Sequence, residues 1–599
     1  MITPMKKLSI ICLKTAREEA LNRLQDLGLL HVTPCSDPTD STLSQARQKV
    51  EEAKVAIATL ECDEQLQHSH KNSCADGNCN IDSVISEIYK LHQSYRHKEE
   101  HLTNLRILRH NLRPYGNFKP ETIQDLQKSG VAVRLYHTRD IENLEIPDGI
   151  QIHTLSQDKS GTYFAAISQT NFEIQGASEY NLPEKSLDEV QAEIDAMKHE
   201  LETIRNGVCQ FANLKDKLIE TLHRREEAVS YAEVHDTLGT HGEVVYLKGF
   251  CPEDKVEKIK TVAREAGWGI LIEEPGEDDN VPTLIKFPKW VTPAKALFQA
   301  LSILPGYREA DISSVFLIFF SLFFAILIGD AGYGLLFLLI TIYARKKLKK
   351  APAYPFILFG ILSVGTIIWG TLTGNYFGIN PKFLPPFIQG LQVDWLTGES
   401  GQNHIMKLCF LIGGIHLTIA HIWNIVVLAP NKKALAQLGW IGLVWCMYYT
   451  ALNMVLQTPL PKFFTPLLIA SAVTILLFMT APKDLKKEWI HHVMFPLSMV
   501  NCFVDIVSYI RLFAVGLASL SVAMSFNNMA MQLGWQKIWT IPIMAIILLL
   551  GHGLNITLCA LGILVHGVRL NTLEFSMHKE LEWKGFPYKP FSRKKDSVA

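Results

Sequence analysis

Residues 489–527 read WIHHVMFPLSMVNCFVDIVSYIRLFAVGLASLSVAMSFN, and Asp505 and Arg511 are the only charged side chains among them. A helix of these 39 residues would be about 58 Å long at about 1.5 Å per residue, whereas the hydrocarbon core of a bilayer is about 30 Å thick. The stretch therefore predicts a membrane helix that is steeply tilted or extends into the cytosol. Residues 538–570 form a second long apolar stretch, so the pair predicts a curved wall shaped to face a partner.

Six further apolar runs precede this pair. Residues 352–480 carry only two acidic and five basic side chains, and a soluble domain of this size would need many more charges on its surface. This half of the chain is therefore predicted to be solvated by lipid, with eight membrane helices in all. The six earlier runs are residues 312–328, 332–343, 354–373, 408–428, 438–456 and 463–480.

Basic residues predict the orientation of these helices. They cluster in alternate loops, at 345–350, 432–433, 483–487 and 593–595, whereas the opposite loops contain only isolated lysines. By the positive-inside rule, both termini are expected in the cytoplasm. The start of the chain agrees, because its apolar run at residues 8–13 is too short for a secretory signal and is followed at once by charged residues.

The first 300 residues have a different pattern. Apolar residues recur at alternating steps of three and four in residues 43–60, 84–105 and 187–211, which predicts three coiled-coil helices packed lengthwise into a rod. Strand, helix and strand signals follow one another in residues 7–33 and again in residues 242–272. Together with a strand signal at residues 130–136, they predict small α/β lobes at the ends of the rod.

These patterns define the expected fold class. It is an α-helical membrane protein with eight transmembrane helices, the last two long and tilted, and an N-terminal cytosolic coiled-coil arm that carries small α/β lobes. The expected domains are the arm at residues 1–300, the membrane domain at 301–575 and a cytosolic tail at 576–599.

Composition and missing motifs exclude several functions. Lys and Arg number 58 against 59 Asp and Glu, so the net charge of -1 excludes a basic nucleic-acid binder. The sequence contains no P-loop, glycine-rich dinucleotide motif or HExxH, so we expect no nucleotide hydrolysis by this chain and no cofactor. One cluster could bind a metal, but its loose Cys-x4-Cys spacing favours a loop, and no metal site is assigned. That cluster is His68, His70, Cys74 and Cys79.

The chemistry of the membrane domain centres on Arg511, which lies in the apolar sequence SYIRLFAVGLA at residues 508–518. An arginine at this depth costs from about 3 to above 10 kcal/mol, so it needs a partner carboxylate or a water cavity, unless it snorkels to an interface. Polar side chains share a face with it on the same helix and form a stripe on the last helix. The candidates are Asn501, Asp505, Ser508 and Ser519 on the first, and His552, Asn555, His566, Arg569 and Glu574 on the second.

Two interpretations of these polar stripes remain open. Two polar stripes on neighbouring apolar helices are typical of aqueous half-channels that meet near Arg511. Hydrogen bonds that hold helices together would give the same pattern. Asp505 is the clearest case: its carboxylate, six residues before Arg511, could accept an ion from water or could only bond a neighbouring helix.

Four motifs together resemble one family, the membrane-embedded stator subunit of V-type and A-type rotary ATPases, known as subunit I or subunit a. The resemblance extends over nearly the whole chain, and the arm is similar to the N-terminal domain of that family. The motifs are GDAGYG at 329–334, GTLTGNYFG at 370–378, SYIRLFAVGLA at 508–518 and HGVRLNTLEF at 566–575.

The resemblance implies a function. The arginine at position 511 would face the carboxylates of a rotating ring of proteolipid subunits (c/K type), and Arg569 would support it. The arm would bind peripheral-stalk subunits of the E and G/H types, with central-stalk subunits as further possible partners. The chain would then be a non-catalytic membrane subunit that couples proton or sodium flow to ATP synthesis or hydrolysis in a bacterial inner membrane.

This sequence departs from eukaryotic members, which often have a glutamate and a histidine where Leu497 and Ser519 stand. The departure leaves the half-channel residues open. The sequence also leaves open the coupling ion, the physiological direction and the number of peripheral stalks. Two other classes compete: a secondary transporter with a regulatory coil, which predicts internal repeats, and a membrane tether, which gives no reason for two intramembrane arginines.

Overall fold

The computed structural model describes most of the chain and divides it into two compact units, which are treated separately below. One unit contains residues 1–8, 250–257 and 272–589, and the other contains residues 9–249, 258–271 and 590–599. The described residues exclude 1, 36–40, 63–79, 140, 142–143, 145, 148, 159–160, 171, 183, 350, 380–382, 398–399, 481–488, 535–538 and 594–599. The His68, His70, Cys74 and Cys79 cluster therefore lies outside the described residues.

Helices lie at all three positions where the sequence predicts heptads. Helix α3 packs along α5, and α2 packs against α3 and against α6, a helix that the heptad pattern did not predict. Val190, Ile194 and Leu201 of α5 are buried at these contacts, as their spacing requires. The helices of this region are α1 (Arg17–Leu27), α2 (Ser41–Cys62), α3 (Ile81–Leu112), α4 (Pro120–Lys128), α5 (Leu187–Cys209), α6 (Lys215–Asp236) and α7 (Val256–Glu265).

Helix α5 begins with a reciprocal cap. The Ser186 hydroxyl accepts a hydrogen bond from the Glu189 backbone N–H, and the Glu189 carboxylate accepts one from the Ser186 backbone N–H at 2.8 Å. Because hydrogen bonds from Ser186 stabilise the charged form, the pKa of Glu189 is lowered. The sequence Ser-x-x-Glu at the start of the heptads is thus what sets the first residue of this helix.

The two strand–helix–strand segments predicted at 7–33 and 242–272 join one sheet. Its order is β2-β8-β1-β9, with β7 paired to β8, so each segment places a strand between the two strands of the other. The sequence did not predict this interleaving, which gives pairing partners to strand edges that a two-stranded lobe would leave open. The strands are β1 (Met5–Leu13), β2 (His31–Thr33), β7 (Gly239–His241), β8 (Val244–Pro252) and β9 (Gly269–Glu273).

The strand predicted at residues 130–136 belongs to a separate four-stranded sheet with the order β4-β5-β3-β6. Strand β5 pairs antiparallel with both β3 and β4, and β6 pairs antiparallel with β3. This lobe is therefore an antiparallel sheet in which the strands are not in sequence order, with α4 beside it, rather than a βαβ unit. Its strands are β3 (Ala132–Thr138), β4 (Gln151–Asp158), β5 (Gly161–Ser168) and β6 (Ser178–Tyr180).

The second half of the chain is helical at each of the eight predicted membrane positions. Within the described residues, five helices are long and apolar enough to cross a membrane: 353–373, 401–428, 433–456, 492–532 and 540–579. The count of eight spans stays a prediction, because the helices at 313–328 and 464–478 are apolar but shorter. The helices are α8 (Ala294–Leu301), α9 (Ser313–Ile328), α10 (Ala331–Lys347), α11 (Ala353–Thr373), α12 (Pro386–Gln389), α13 (Asp394–Thr397), α14 (Gly401–Leu428), α15 (Lys433–Leu456), α16 (Phe464–Phe478), α17 (Trp489–Ser508), α18 (Ile510–Gln532), α19 (Thr540–Gly562) and α20 (Ser576–Lys579).

Two of the four sequence motifs are structural, because they pack against each other. The buried Asp330 carboxylate of GDAGYG accepts hydrogen bonds from the backbone N–H groups of Gly332 and Tyr333 at the start of α10. It also accepts from Phe377 and Gly378 of GTLTGNYFG. One side chain therefore satisfies four backbone donors and fixes the α9–α10 turn against the end of α11.

Gly370 allows this close approach, and we expect its replacement to destabilise the membrane domain. A Cβ at position 370 would lie 2.1 Å from the Ala331 backbone nitrogen, so Gly370→Ala must push the two motifs apart. We expect a loss of about 1–3 kcal/mol, seen as a lower melting temperature of the purified protein in detergent. Gly360 on the same helix is the matched control, because a Cβ there meets nothing within 4 Å. Equal melting temperatures for Gly370→Ala and Gly360→Ala would contradict this account.

Candidate ion-translocation site

Arg511 is ion-paired with a carboxylate of the last helix. Its Nη2 lies 2.5 Å from Glu574 Oε1, and its Nε donates to the Ser508 backbone carbonyl at 2.9 Å. Arg569 Nε lies 3.4 Å from the same Glu574 oxygen. Two guanidinium groups thus share one carboxylate, and the three side chains together carry a net charge of +1 when all are ionised.

Exposure differs sharply among these three groups. The side chain of Glu574 is 3% exposed, that of Arg511 is 21% exposed and that of Arg569 is 52% exposed. The carboxylate is therefore the buried anchor, and the guanidinium of Arg511 reaches from it towards the outer surface of the helices. Arg511 therefore has a partner carboxylate, which is one of the ways in which the sequence analysis expects its charge to be stabilised.

Wide helical turns bring Arg569 and Glu574 together. The last helix continues from α19 through π-helical turns at Ile563–Gly567 and Leu570–Phe575 before it ends at Lys579. In a regular α-helix, residues five apart would point about 140° away from each other at about 100° per residue. A π-helical turn places residues five apart on the same side, and such turns are frequent at functional sites.

Arg511 lies on a stripe of outward-facing residues that runs along α17 and α18. Before Arg511 the exposed members are large and apolar, and after it they are small. Their spacing of three and four residues keeps them on one face of the helix. The members are Val493, Leu497, Val500 and Val504, followed by Ala514, Ala518, Ser521 and Ser525. We call this set the outer stripe.

Asp505 faces a different neighbour. Its Oδ2 lies 3.1 Å from Nε2 of His578, near the end of the last helix. Both residues line a cavity of about 550 Å³, together with Asn501 and the ends of neighbouring helices. The structure therefore brings the predicted pair Asn501 and Asp505 into one polar cavity, on a wall to which α14 and α15 also contribute.

Three further candidates form a separate hydrogen-bond network. Asn555 Nδ2 donates to the Ser519 carbonyl and to the Tyr333 hydroxyl, both at 3.0 Å. The Tyr333 hydroxyl lies 2.7 Å from His552 Nδ1, and Ser519 Oγ lies 3.1 Å from Cys559 Sγ. These contacts join α10, α18 and α19, so Ser519, His552 and Asn555 bond between helices, as the alternative interpretation of the polar stripes expects.

The two remaining candidates have modest contacts. Ser508 Oγ donates to the Val504 carbonyl within its own helix, while its backbone carbonyl receives Arg511. His566 is half-buried, and its Nδ1 is one of several buried polar atoms that have no hydrogen-bond partner within the described residues. The others near this site are Nδ2 and Oδ1 of Asn571 and Oε2 of Glu574. Buried polar atoms of this kind are the ones that water can satisfy.

Sequence reasoning missed His578, Gln437 and Tyr333. Position 578 lies beyond the expected domain boundary at 575, because the apolar run ends near Leu570 while the helix continues to Lys579. His421 of α14 bonds across helices, to Gln437 and to His578. The visible signal was the pair His421 and Asn424, which lie one turn apart on an otherwise apolar helix.

No metal centre is apparent in the part of the chain that the structure describes, where no group of three or more His, Cys, Asp or Glu side chains could hold an ion.

The fold and the site define a class: a helical protein with apolar helices long enough to cross a membrane, which holds an arginine of one of them against a buried carboxylate. The V-type ATP synthase subunit I of Borreliella burgdorferi is 31% identical to this chain over 623 aligned residues, which cover 99% of this chain and 100% of the relative. The chain therefore belongs to the V-type ATP synthase subunit I family.

More distant relatives have the same type of name. Subunit I 1 of the V-type ATP synthase of Treponema pallidum is 26% identical, covering 99% of this chain and 100% of the relative. The A-type ATP synthase subunit I of Methanocaldococcus jannaschii is 25% identical, covering 69% of this chain and 64% of the relative. No family model matches the chain.

Among solved structures, the cytoplasmic N-terminal domain of subunit I, homolog of subunit a, of V-ATPase covers 45% of this chain and 99% of its own length. It is 14% identical with a TM-score of 0.22, which is too low to support an argument about the fold.

Proposed function

We propose that this chain is the ion-translocating stator subunit of a V/A-type rotary ATP synthase. The observation that carries the proposal is the position of Arg511, which is partly exposed in the middle of the outer stripe and is paired with the buried Glu574. A fixed positive charge at this position can attract the carboxylates of a partner that moves them to it through the bilayer. A ring of small proteolipid subunits is such a partner.

Coupling follows from the cost of charge in lipid. A ring carboxylate that travels through the bilayer keeps its ion, because a bare carboxylate there is prohibitively costly. Beside Arg511 the ionised carboxylate is stabilised, since an opposite charge lowers a carboxyl pKa by about 1 to 3 units. The ion then leaves through one aqueous path, and the next carboxylate is reloaded from the other. Arg511 between the two paths blocks direct leakage, so ion flow requires rotation.

Glu574 and Arg569 position Arg511 for this task. The Glu574 carboxylate fixes one end of the guanidinium, and a second donor edge remains for an incoming carboxylate, because a guanidinium has five N–H donors. Arg569 supplies a second positive charge at the same Glu574 oxygen. Arg511, Arg569 and Glu574 together carry a net charge of +1. This net charge attracts one ring carboxylate at a time.

The small residues that follow Arg511 on the outer stripe suit a passing partner. These residues have short side chains, so helices of a ring could pass close to them. They are Ala514, Ala518, Ser521 and Ser525. The large apolar members before Arg511 would contact ring helices or lipid.

The other parts of the chain receive roles by the same proposal. The helical arm binds peripheral-stalk subunits of the E and G/H types. Central-stalk subunits are further candidate partners. The chain has eight membrane spans with both termini in the cytoplasm of a bacterial cell, and it performs no catalysis on its own.

Purification from native membranes in mild detergent tests the proposed function: a proteolipid ring and ATPase subunits should co-purify. A secondary transporter, which the relatives do not favour, would purify without them.

A further inference from the structure

The cavity beside Asp505 opens among helix ends that carry charge. It is lined by Lys433 at the start of α15, by Thr480 beyond the end of α16 and by Glu580 just after α20. The lysine pair 432–433 lies on the side that the positive-inside rule assigns to the cytoplasm. The cavity is therefore a water-accessible entrance on that side, and Asp505 and His578 form its inner wall.

A continuous line of hydrogen bonds crosses this wall. Gln437 Oε1 lies 2.6 Å from His421 Nδ1, His421 Nε2 lies 2.9 Å from His578 Nδ1, and His578 Nε2 lies 3.1 Å from Asp505 Oδ2. Asn424 holds the end of the last helix in place, because its amide donates to the His578 carbonyl and accepts from Lys579 Nζ.

The order of donors and acceptors assigns the protons. When the Gln437 amide is oriented with its oxygen towards a neutral His421, His421 donates from Nδ1 and accepts at Nε2, so His578 donates from Nδ1. The contact between His578 Nε2 and Asp505 Oδ2 then requires one further proton. It lies on the imidazole beside an ionised carboxylate, or on the carboxyl beside a neutral imidazole.

We propose that Asp505 and His578, oriented by His421 and Gln437, form a proton relay at the inner wall of this cavity and that the coupling ion is therefore the proton. This inference rests on the proposed function and adds the identity of the ion to it. Asp505 lies six residues before Arg511, about 9 Å along a helix, so it stands between the cavity and the site where ring carboxylates would exchange their ions.

The transfer moves one proton and no other atom. In the resting pair the proton lies on Nε2 of His578, beside the ionised Asp505. The Nε2–H bond breaks as the Oδ2–H bond of Asp505 forms, and Asp505 then releases this proton to water on the Arg511 side. A hydronium ion in the cavity gives its proton to the vacated Nε2 and leaves water, so one proton enters, one leaves and the pair is restored; the reverse sequence carries a proton outwards.

Sodium does not suit this wall. Hard cations prefer several oxygen ligands, and here a carboxylate oxygen of Asp505 is directed at an imidazole nitrogen. A sodium ion bound to Oδ2 of Asp505 would have to displace His578 and break the line of hydrogen bonds. Charged and titratable groups surround His578 on each packed element: Asp505 on α17, His416 and His421 on α14, Lys433 on α15, and Lys579 and Glu580 beside it.

The test uses the whole complex in vesicles, with ATP-driven acidification followed by a pH-sensitive dye from pH 6 to 8.5, with and without sodium, and with radioactive sodium uptake in parallel. We expect acidification without added sodium, a loss of at least about tenfold in His578→Gln, and a shifted pH profile in Asp505→Asn. His404→Gln on α14 is the matched control, because this histidine stacks on the Trp395 ring and lies 2.7 Å from its carbonyl, and it does not line the cavity. It should pump within about twofold of the parent.

Several outcomes would overturn the relay. Sodium uptake in proportion to ATP turnover would identify sodium as the coupling ion, and an unchanged rate and pH profile in both variants would remove Asp505 and His578 from the path. If His578→Gln reduces the amount of assembled complex, Asp505→Asn decides, because it keeps the shape and an acceptor oxygen. Loss of pumping in Arg511→Ala with normal pumping in both relay variants would reject the relay alone. Normal pumping in Arg511→Ala would reject the proposed function itself.

Discussion

Arg511→Ala is expected to abolish ion-coupled ATP synthesis and ATP-driven pumping while the complex still assembles. The substitution removes the positive charge that releases the ion from a ring carboxylate and blocks leakage between the two water paths. The buried Glu574 keeps Arg569 as a partner, 3.4 Å away, so the helices retain an ion pair. Coupled transport should fall by about a hundredfold or more, since each 1.4 kcal/mol of lost stabilisation gives about a tenfold slower step.

Two further variants make this expectation specific. Arg511→Lys should rescue poorly, because an ammonium group lacks the planar fork that can bond Glu574 and an incoming carboxylate together. Arg345→Ala is the control: Arg345 is an exposed arginine of the same half of the chain and donates to the Ala351 carbonyl. Pumping near the parent rate in Arg511→Ala, measured in vesicles with equal amounts of complex, would refute the assigned role.

Glu574→Gln is expected to have the second largest effect. The glutamine has nearly the same shape and keeps an acceptor oxygen, but it removes the negative charge that lies against two guanidinium groups. Removal of one partner from a buried ion pair costs about 3–5 kcal/mol. Arg511 should become mobile, and coupled transport should fall at least about tenfold, more than the yield of assembled complex.

The control for this variant is Glu582→Gln, which removes an exposed carboxylate paired only with Lys584 among the described residues. Surface pairs of this kind contribute little to stability, so transport should not change.

Transport rates in Glu574→Gln would be compared with those in Arg569→Gln. The second variant leaves the Arg511–Glu574 pair intact, so its loss of transport should be smaller. A larger loss in Arg569→Gln than in Glu574→Gln would show that Glu574 does not anchor Arg511.

Much of the architecture could be predicted from periodicity alone. The heptads gave helices α2, α3 and α5, and the apolar runs gave helices at each of the eight predicted membrane positions, because both signals arise from side chains that repeat along one element. The sequence also predicted that Arg511 needs a partner such as a carboxylate, because a charged arginine in lipid has a high free-energy cost. Relations between distant segments were harder: GDAGYG and GTLTGNYFG meet through one aspartate, and no local pattern indicates that contact.

The site was predicted in part. A wheel drawn at 100° per residue cannot include the π-helical turns that bring Glu574 to Arg511 and Arg569, so the sequence did not predict that these three side chains meet. His578 was missed for a related reason, since an apolar run does not reveal a helix that continues into polar sequence while packed on α14. Ser519, His552 and Asn555 have the composition of a channel wall but bond between helices.

The central claim, that the outer stripe around Arg511 faces the proteolipid ring, is tested most directly by cysteine cross-linking in the assembled complex. Single cysteines would replace exposed Ala514 and Ala518 or, as matched controls on the same helix, buried Leu512 and Ala523, in a background without the native membrane-domain cysteines. A partner cysteine would be placed next to the ring carboxylate. The account predicts oxidative cross-links to the ring from positions 514 and 518 and none from 512 and 523. Equal cross-linking at all four positions, or cross-links only from 512 and 523, would contradict it.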